Sequence, residues 1–174
     1  MTRKVEVVSY DPTWADMFLT EAEVLRNVFG DQLVAIHHFG STAIPGILAK
    51  PILDFLVEVR DIREVDELNS EMEKLGYQPL GENGIPERRY FVKQTGETHV
   101  HHIHTFQTGN PQVERLLNFR NYLIANPQEA RAYSWLKEKL AKQFAEDFDG
   151  YVEGKNDFIR DIDRKAGIWK KSKL

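Results

Sequence analysis

The chain has 174 residues, 41% apolar and 29% charged, the balance of one globular domain with a full core. A formal charge of −4 argues against bulk attraction to nucleic acid, and the absence of cysteine excludes disulfides, thiol nucleophiles and cysteine–zinc sites. No apolar run approaches the roughly 20 residues of a membrane span, and "MTRKVEVVSYDP" lacks an apolar leader core, so a cytoplasmic, membrane-free protein is expected.

In chain order, "VEVVSY" alternates and is β-branched, which predicts a short strand. "YDPTW" opens a helix, with Asp11 as N-cap and Pro12 at the first helical position. Trp14, Met17, Phe18, Leu25, Val28 and Phe29 share one helical face, and Gly30 ends it. "QLVAIHHF" reads as the next strand. "PILDFLVEV" is apolar on both faces apart from two acids, the pattern of a central, doubly covered strand. Proline has no N–H, so Pro51 fits only as that strand's first residue. Val65, Leu68, Met72 and Leu75 make another helical stripe, closed by Gly76. "RRYFVK" and "HVHHIHTF" are strands joined through "QTGE".

Beyond residue 110 the pattern turns helical. Leu116, Phe119 and Leu123 mark one helix. "NPQEARAYSWLKEKLAKQF" is a second, with a start at Asn126, Pro127 and Glu129 resembling a capping box. Phe158, Ile162, Ala166 and Trp169 mark a third. The closing Ser-Lys-Leu reads as a solvated tail. The layout predicts a single domain over 1–174 of the α+β class. A mixed αβ part occupies about 1–110, and a helical part at about 111–174 packs on it.

Gly40-Ser41 ends a strand and opens a turn. Glycine lets backbone N–H groups approach a phosphate, and the hydroxyl adds a donor; the pair also suits an ordinary turn. Neither the P-loop nor the dinucleotide fingerprint is present. Asp54 is a carboxylate within an apolar strand, costly to bury alone. It calls for a salt bridge, with Lys50 at hand, or for a metal. Lys50 is also the best single phosphate candidate. Four of six histidines fall in "HVHHIH". Alternation puts His102 and His104 on one face and His99 and His101 on the other. Two imidazoles with Asp54 would make a 2-His-1-carboxylate metal set; hydrogen-bonded strand histidines are the other reading. His38 suits either core hydrogen bonding or the site. Arg88 and Arg89 point to opposite faces, so at most one meets it.

"YDPTW", "HHFGSTAIPGILAKPILDF", "HHIH", "FRNYLIANPQEARAYSWLKEKLA" and "YVEGKNDFI" with the later "IW" together resemble the GrpB family, a group within the nucleotidyltransferase-fold superfamily. The resemblance covers nearly the whole chain. It implies a nucleotidyltransferase-like mixed sheet flanked by helices. It also implies a Gly-Ser loop gripping nucleotide phosphates and an acid-x-acid pair holding Mg²⁺. Gly40 and Ser41, with Thr42 beside them, match the loop, and Asp54 matches the first acid. The second acid would stand at Leu56. An acid there would lie about 7 Å from Asp54, whereas Glu58 lies about 13 Å away, too far for paired metals roughly 3.5–4 Å apart. Glu58 therefore reads as a surface acid at the strand end.

The resemblance further favours His102 and His104 on the functional face and Arg89, Arg120 and Lys155 as phosphate partners, while the family's usual aspartate is Asn121 here. The leading expectation is a metal-dependent nucleotidyl- or phosphoryl-transferase, using Mg²⁺ or another divalent ion. Asp54 and His104 would be catalytic. Gly40, Ser41, Thr42, Lys50, Arg89, Arg120 and Lys155 would bind a nucleoside triphosphate or other phosphorylated small molecule, and Asp54, His102 and His104 would hold metal; the acceptor is unknown. Leu56 motivates an alternative, an accessory binding module without transfer, which suits a family sometimes fused to a coenzyme A biosynthetic kinase. A second alternative is a transition-metal enzyme using His102, His104 and Asp54.

Overall fold

The computed structural model describes residues 5–173, so Met1–Lys4 of the N-terminal reading and the final Leu174 lie outside the described residues. The protein is α+β. The chain divides into two compact units. A sheet unit comprises Pro12–Phe39 and Ile52–Glu114, and a helical unit comprises Met1–Asp11, Gly40–Pro51 and Arg115–Leu174.

The sheet unit holds five strands, β1 (Leu33–Phe39), β2 (Leu53–Val59), β3 (Tyr77–Pro79), β4 (Arg88–Thr95) and β5 (Thr98–Gln107), in the order β1-β2-β5-β4-β3. β2 runs parallel to β5 and antiparallel to β1, while β4 is antiparallel to both β5 and β3. β2 is interior, as its two-faced apolar pattern predicts: Leu53, Phe55, Leu56, Val57 and Val59 are all buried. Pro51 stands ahead of the strand, which begins at Leu53. Helix α1 (Thr13–Phe29) buries Trp14, Ala22, Leu25 and Phe29. Its Phe18 ring lies 5.1 Å from Phe55 and stacks on His38 at 4.9 Å, so α1 covers the sheet face that carries those residues. Full burial of a ring such as Phe55 stabilises by about 1.5–3 kcal/mol. The opposite face carries Asp54, His102 and His104.

β4 and β5 form a hairpin closed by Gly96-Glu97, with Thr95 paired to Thr98. Gly96 adopts φ +63°, the left-handed conformation such tight turns need. The stripe from Val65 to Leu75 folds as a 3₁₀ segment (Ile62–Leu68) followed by the short helix α2 (Asn69–Lys74). Val65 and Met72 still face inward, because apolar spacing of three and four serves either helix type.

In the helical unit, "VEVVSY" makes a single bridge rather than a strand. Val8 and Ala49 exchange N–H···O bonds of 2.8 and 3.0 Å. A ladder needs a partner of equal length, and here the partner runs into Pro51, which has no N–H. Helices α3 (Pro111–Ala125, in this unit from Arg115), α4 (Pro127–Gln143) and α5 (Phe148–Ser172) match the three predicted stripes. Ile44, Ile47, Leu123, Ala130, Tyr133 and Ile162 form their common core. The predicted capping box is not made: the Asn126 amide donates back to the Tyr122 carbonyl, and Glu129 pairs with Lys165 at 2.9 Å. Among the described residues no helix is long and apolar enough to cross a membrane.

α5 approaches α4 closely at Gly154, where an added Cβ would stand 2.6 Å from Leu140 Cδ2. Leu140 is buried and cannot swing freely. Gly154→Val is therefore expected to lower stability by about 1–3 kcal/mol through overpacking, read as a lower urea midpoint at unchanged slope. An unchanged midpoint would mean that the two helices separate at no cost.

Candidate metal and phosphate sites

The parallel pairing of β2 and β5 builds the first site. Asp54 stands opposite His102, and His104 follows on the same face. His104 Nε2 lies 3.2 Å and His102 Nδ1 3.7 Å from the same carboxylate oxygen, Asp54 Oδ1. One ligand atom from each residue falls within 4.8 Å of the others, and all three are partly buried. Tyr90 of β4, paired with His104, packs against both imidazoles at 5.5 and 5.1 Å. The Phe39 ring meets His104 edge-on at 4.9 Å.

Two neighbours set the imidazoles' tautomers. Alternation predicts His99 on the His101 side, but Lys93 pairs with His101 and Gln94 with His99, which leaves Val100 as a bulge. The extra residue turns His99 to the His102 side, where its Nδ1 lies 2.9 Å from His102 Nε2. With Nε2–H donating to His99, His102 Nδ1 carries no proton on the side that faces Asp54, the form a metal needs. His104 is different. Arg88 Nη1 donates to its Nδ1 at 3.4 Å, which puts the proton on Nε2, pointing at Asp54. As the site stands His104 is therefore a hydrogen-bond donor to Asp54; either ligation through Nε2 or proton acceptance at Nδ1 requires Arg88 to withdraw.

Two nitrogens and one carboxylate fit a divalent transition ion better than Mg²⁺, which prefers six oxygens. Leu56 is fully buried (0% exposed) and fills the place of the second acid with apolar volume. Glu58 departs from expectation. Its side chain is only 15% exposed and joins His37 Nε2 at 2.6 Å, with Thr108 Oγ1 donating at 3.2 Å. Pairing along β1 holds His37 beside it, so it is a bound acid rather than a surface one. His101, on the α1 face, contacts the Tyr77 hydroxyl at 3.0 Å, and burial lowers its basicity. Arg89 is engaged by Asp66 at 2.7 Å; the guanidinium beside His104 is that of Arg88, which also lies 4.4 Å over Tyr90.

The remaining candidates belong to the helical unit. Gly40 has φ +74° and opens a 3₁₀ turn at Ser41–Ala43. The Ala43 and Ile44 amides close that turn on the Gly40 and Ser41 carbonyls, and Thr42 is buried. Lys50 lies 4.7 Å over Phe148 and 5.7 Å over Tyr151, and Lys155 lies 4.6 Å over Tyr151. Arg120 is partly buried and donates to Asn121 Oδ1 at 3.0 Å. Sequence reasoning missed Lys137, which is buried on α4 and bound to the Leu48 carbonyl. Its only signal was its place on the inner stripe with Ala130, Tyr133 and Leu140.

A family model described as "GrpB protein" matches residues 4–165. "UPF0157 protein YqkA" of Bacillus subtilis strain 168 is 46% identical over 98% of this chain and 50% of its own length. A crystal structure of the conserved protein GrpB from Enterococcus faecalis superposes with a TM-score of 0.89 at 40% identity, covering 92% of this chain and 96% of that one. A dephospho-CoA kinase of Mycolicibacterium paratuberculosis strain K-10 is 27% identical over 95% of this chain and 46% of its own. The chain spans about half the length of these two curated relatives.

Proposed function

Because the chain belongs to the GrpB family, we propose that it binds a nucleotide or another phosphorylated small molecule and transfers a nucleotidyl or phosphoryl group with the help of a divalent ion. The convergence of His102 Nδ1 and His104 Nε2 on one oxygen of Asp54 carries this reading. Asp54 and His102 would hold the ion. A bound ion supplies Lewis-acid stabilisation of charge on phosphoryl oxygens. Within the helical unit, the Ser41 hydroxyl with Lys50 and Lys155 offers a donor and two cations of the kind that suit phosphate. Within the sheet unit, withdrawal of Arg88 would free His104 Nδ1 to take the proton of an acceptor hydroxyl or amine, while Nε2–H stays on Asp54. Tyr90 and Phe39 wall the imidazoles and limit their motion.

The test is the melting temperature of the full chain with ATP, CTP, GTP or UTP, each with Mg²⁺, Mn²⁺ or Zn²⁺ and without. A ligand at a hundred times its Kd adds about 2.7 kcal/mol, which for this length is a rise of roughly 5–10 °C. No shift with any nucleotide sinks nucleotide binding.

Leu56 favours a second reading, a binding module that supports a neighbouring enzyme. A relative named as a kinase that carries this region within a longer chain suits that role. A melting shift without turnover across acceptors selects it. A third reading is transition-metal chemistry at Asp54, His102 and His104 alone, selected by stoichiometric metal and no response to nucleotides.

A further inference from the structure

Lys137 is 2% exposed. Its amine donates to the Leu48 carbonyl and lies 4.7 Å over the Tyr133 ring. A charged lysine has three protons to place, and one carbonyl and one ring face compensate a buried ammonium poorly. Burial, then Lys155 and then Lys50 act on it, and no carboxylate is among these influences. Lys50 and Lys155 in turn lie over Tyr151. Tyr151 is fully buried, and its hydroxyl has no hydrogen-bond partner among the described residues. Native structures rarely leave such a group unpaired without a reason. Three amines, from the 40–51 segment, α4 and α5, thus gather around two tyrosines within one unit. Burying the Lys137 amine beside two further cations is unfavourable unless an anion joins it.

We propose that Lys137, Lys50 and Lys155 form an anion site of the helical unit, which takes the phosphate groups of a polyphosphorylated ligand. The proposal rests on the phosphorylated ligand put forward above and adds to it a third lysine and a proton. Burial and the two neighbouring cations pull the Lys137 amine down to about 7. Around it stand Lys50, Tyr133 on its own helix, and Lys155 and Tyr151 of α5. A phosphate beside Lys137 favours the ammonium form, so above about pH 7 binding draws in a proton.

The probe is sodium tripolyphosphate, titrated calorimetrically into the full chain at pH 8 in buffers of differing ionisation enthalpy. Proton uptake by the natural chain is expected to exceed that of Lys137→Arg, which stays charged, by about one proton per ligand, a difference in which the ligand's own ionisation cancels. Affinity of the natural chain, relative to Lys137→Arg, should fall up to tenfold per pH unit above 7. The Lys137 side chain, followed by NMR in the unsubstituted protein, should titrate near 7 and move upward with tripolyphosphate, whether or not the variant folds. Binding of tripolyphosphate with proton uptake but of no nucleotide upholds this site and sinks the nucleotide reading. Nucleotide binding with Lys137 unmoved and no uptake overturns this site and leaves the nucleotide reading intact. Failure to bind tripolyphosphate at all also overturns it.

Discussion

Asp54→Asn is expected to weaken binding of Mn²⁺ or Zn²⁺ by about a hundredfold or more while leaving the metal-free melting temperature within a few degrees. The substitution separates two roles of one oxygen. Asparagine keeps the shape and an acceptor Oδ1, so the 3.2 Å contact from His104 Nε2 survives. It removes the negative charge, the hard donor that pairs with two neutral imidazoles around a divalent ion. Loss of outer-shell partners alone costs about 10–100-fold in metal affinity, and a charged direct ligand is worth at least that. One ion per chain is expected, since Leu56 is buried hydrocarbon where a second acid would serve a second ion. Calorimetric titration with metal analysis reads both numbers. Equal affinity in Asp54→Asn would return the cluster to a hydrogen-bonded strand feature, and Asp54→Ala, which removes the acceptor too, would then show a stability loss instead.

The elements that sequence reasoning found were those whose burial is written locally. β2 is apolar on both faces because both faces are covered, and the β4–β5 hairpin carries its glycine where positive φ is needed. The family was legible because the block from Gly40 to Asp54 is long and specific. What was lost depends on partners far along the chain. Alternation in "VEVVSY" describes an extended segment but not the length of the segment it meets. The Val100 bulge, which moves His99 across the sheet, exists only in the register with β4. Alternation correctly separated Arg88 from Arg89, but which of them lies beside His104 was set by that same register. Lys137 read as one more lysine on an amphipathic helix; the Leu48 carbonyl that meets it is 89 residues away in the chain.

Lys137→Met is expected to flatten the pH dependence of stability above neutrality. The unfolded chain keeps the lysine proton up to its ordinary value of 10.5, while the folded protein sheds it near 7. Between those values the unfolded state binds more protons, so this group makes stability rise with pH. The slope is about 1.4 kcal/mol per pH unit, a gain on the order of 5 kcal/mol across the window, and it vanishes in the methionine variant. Tyr77 and Tyr151 act in the opposite sense. Burial pushes both phenols above their ordinary value, so near pH 10 the unfolded tyrosines ionise first and stability falls. They are common to both proteins and cancel in the difference. Urea unfolding at pH 7, 8 and 9 should therefore show the natural chain gaining on Lys137→Met by about 1.4 kcal/mol per unit. The constant offset between them carries the lost bond to Leu48 and is not part of the slope. A flat difference would mean that Lys137 stays charged while buried. The amine would then hold its proton before any phosphate arrives, and binding at the three-lysine site would proceed without proton uptake.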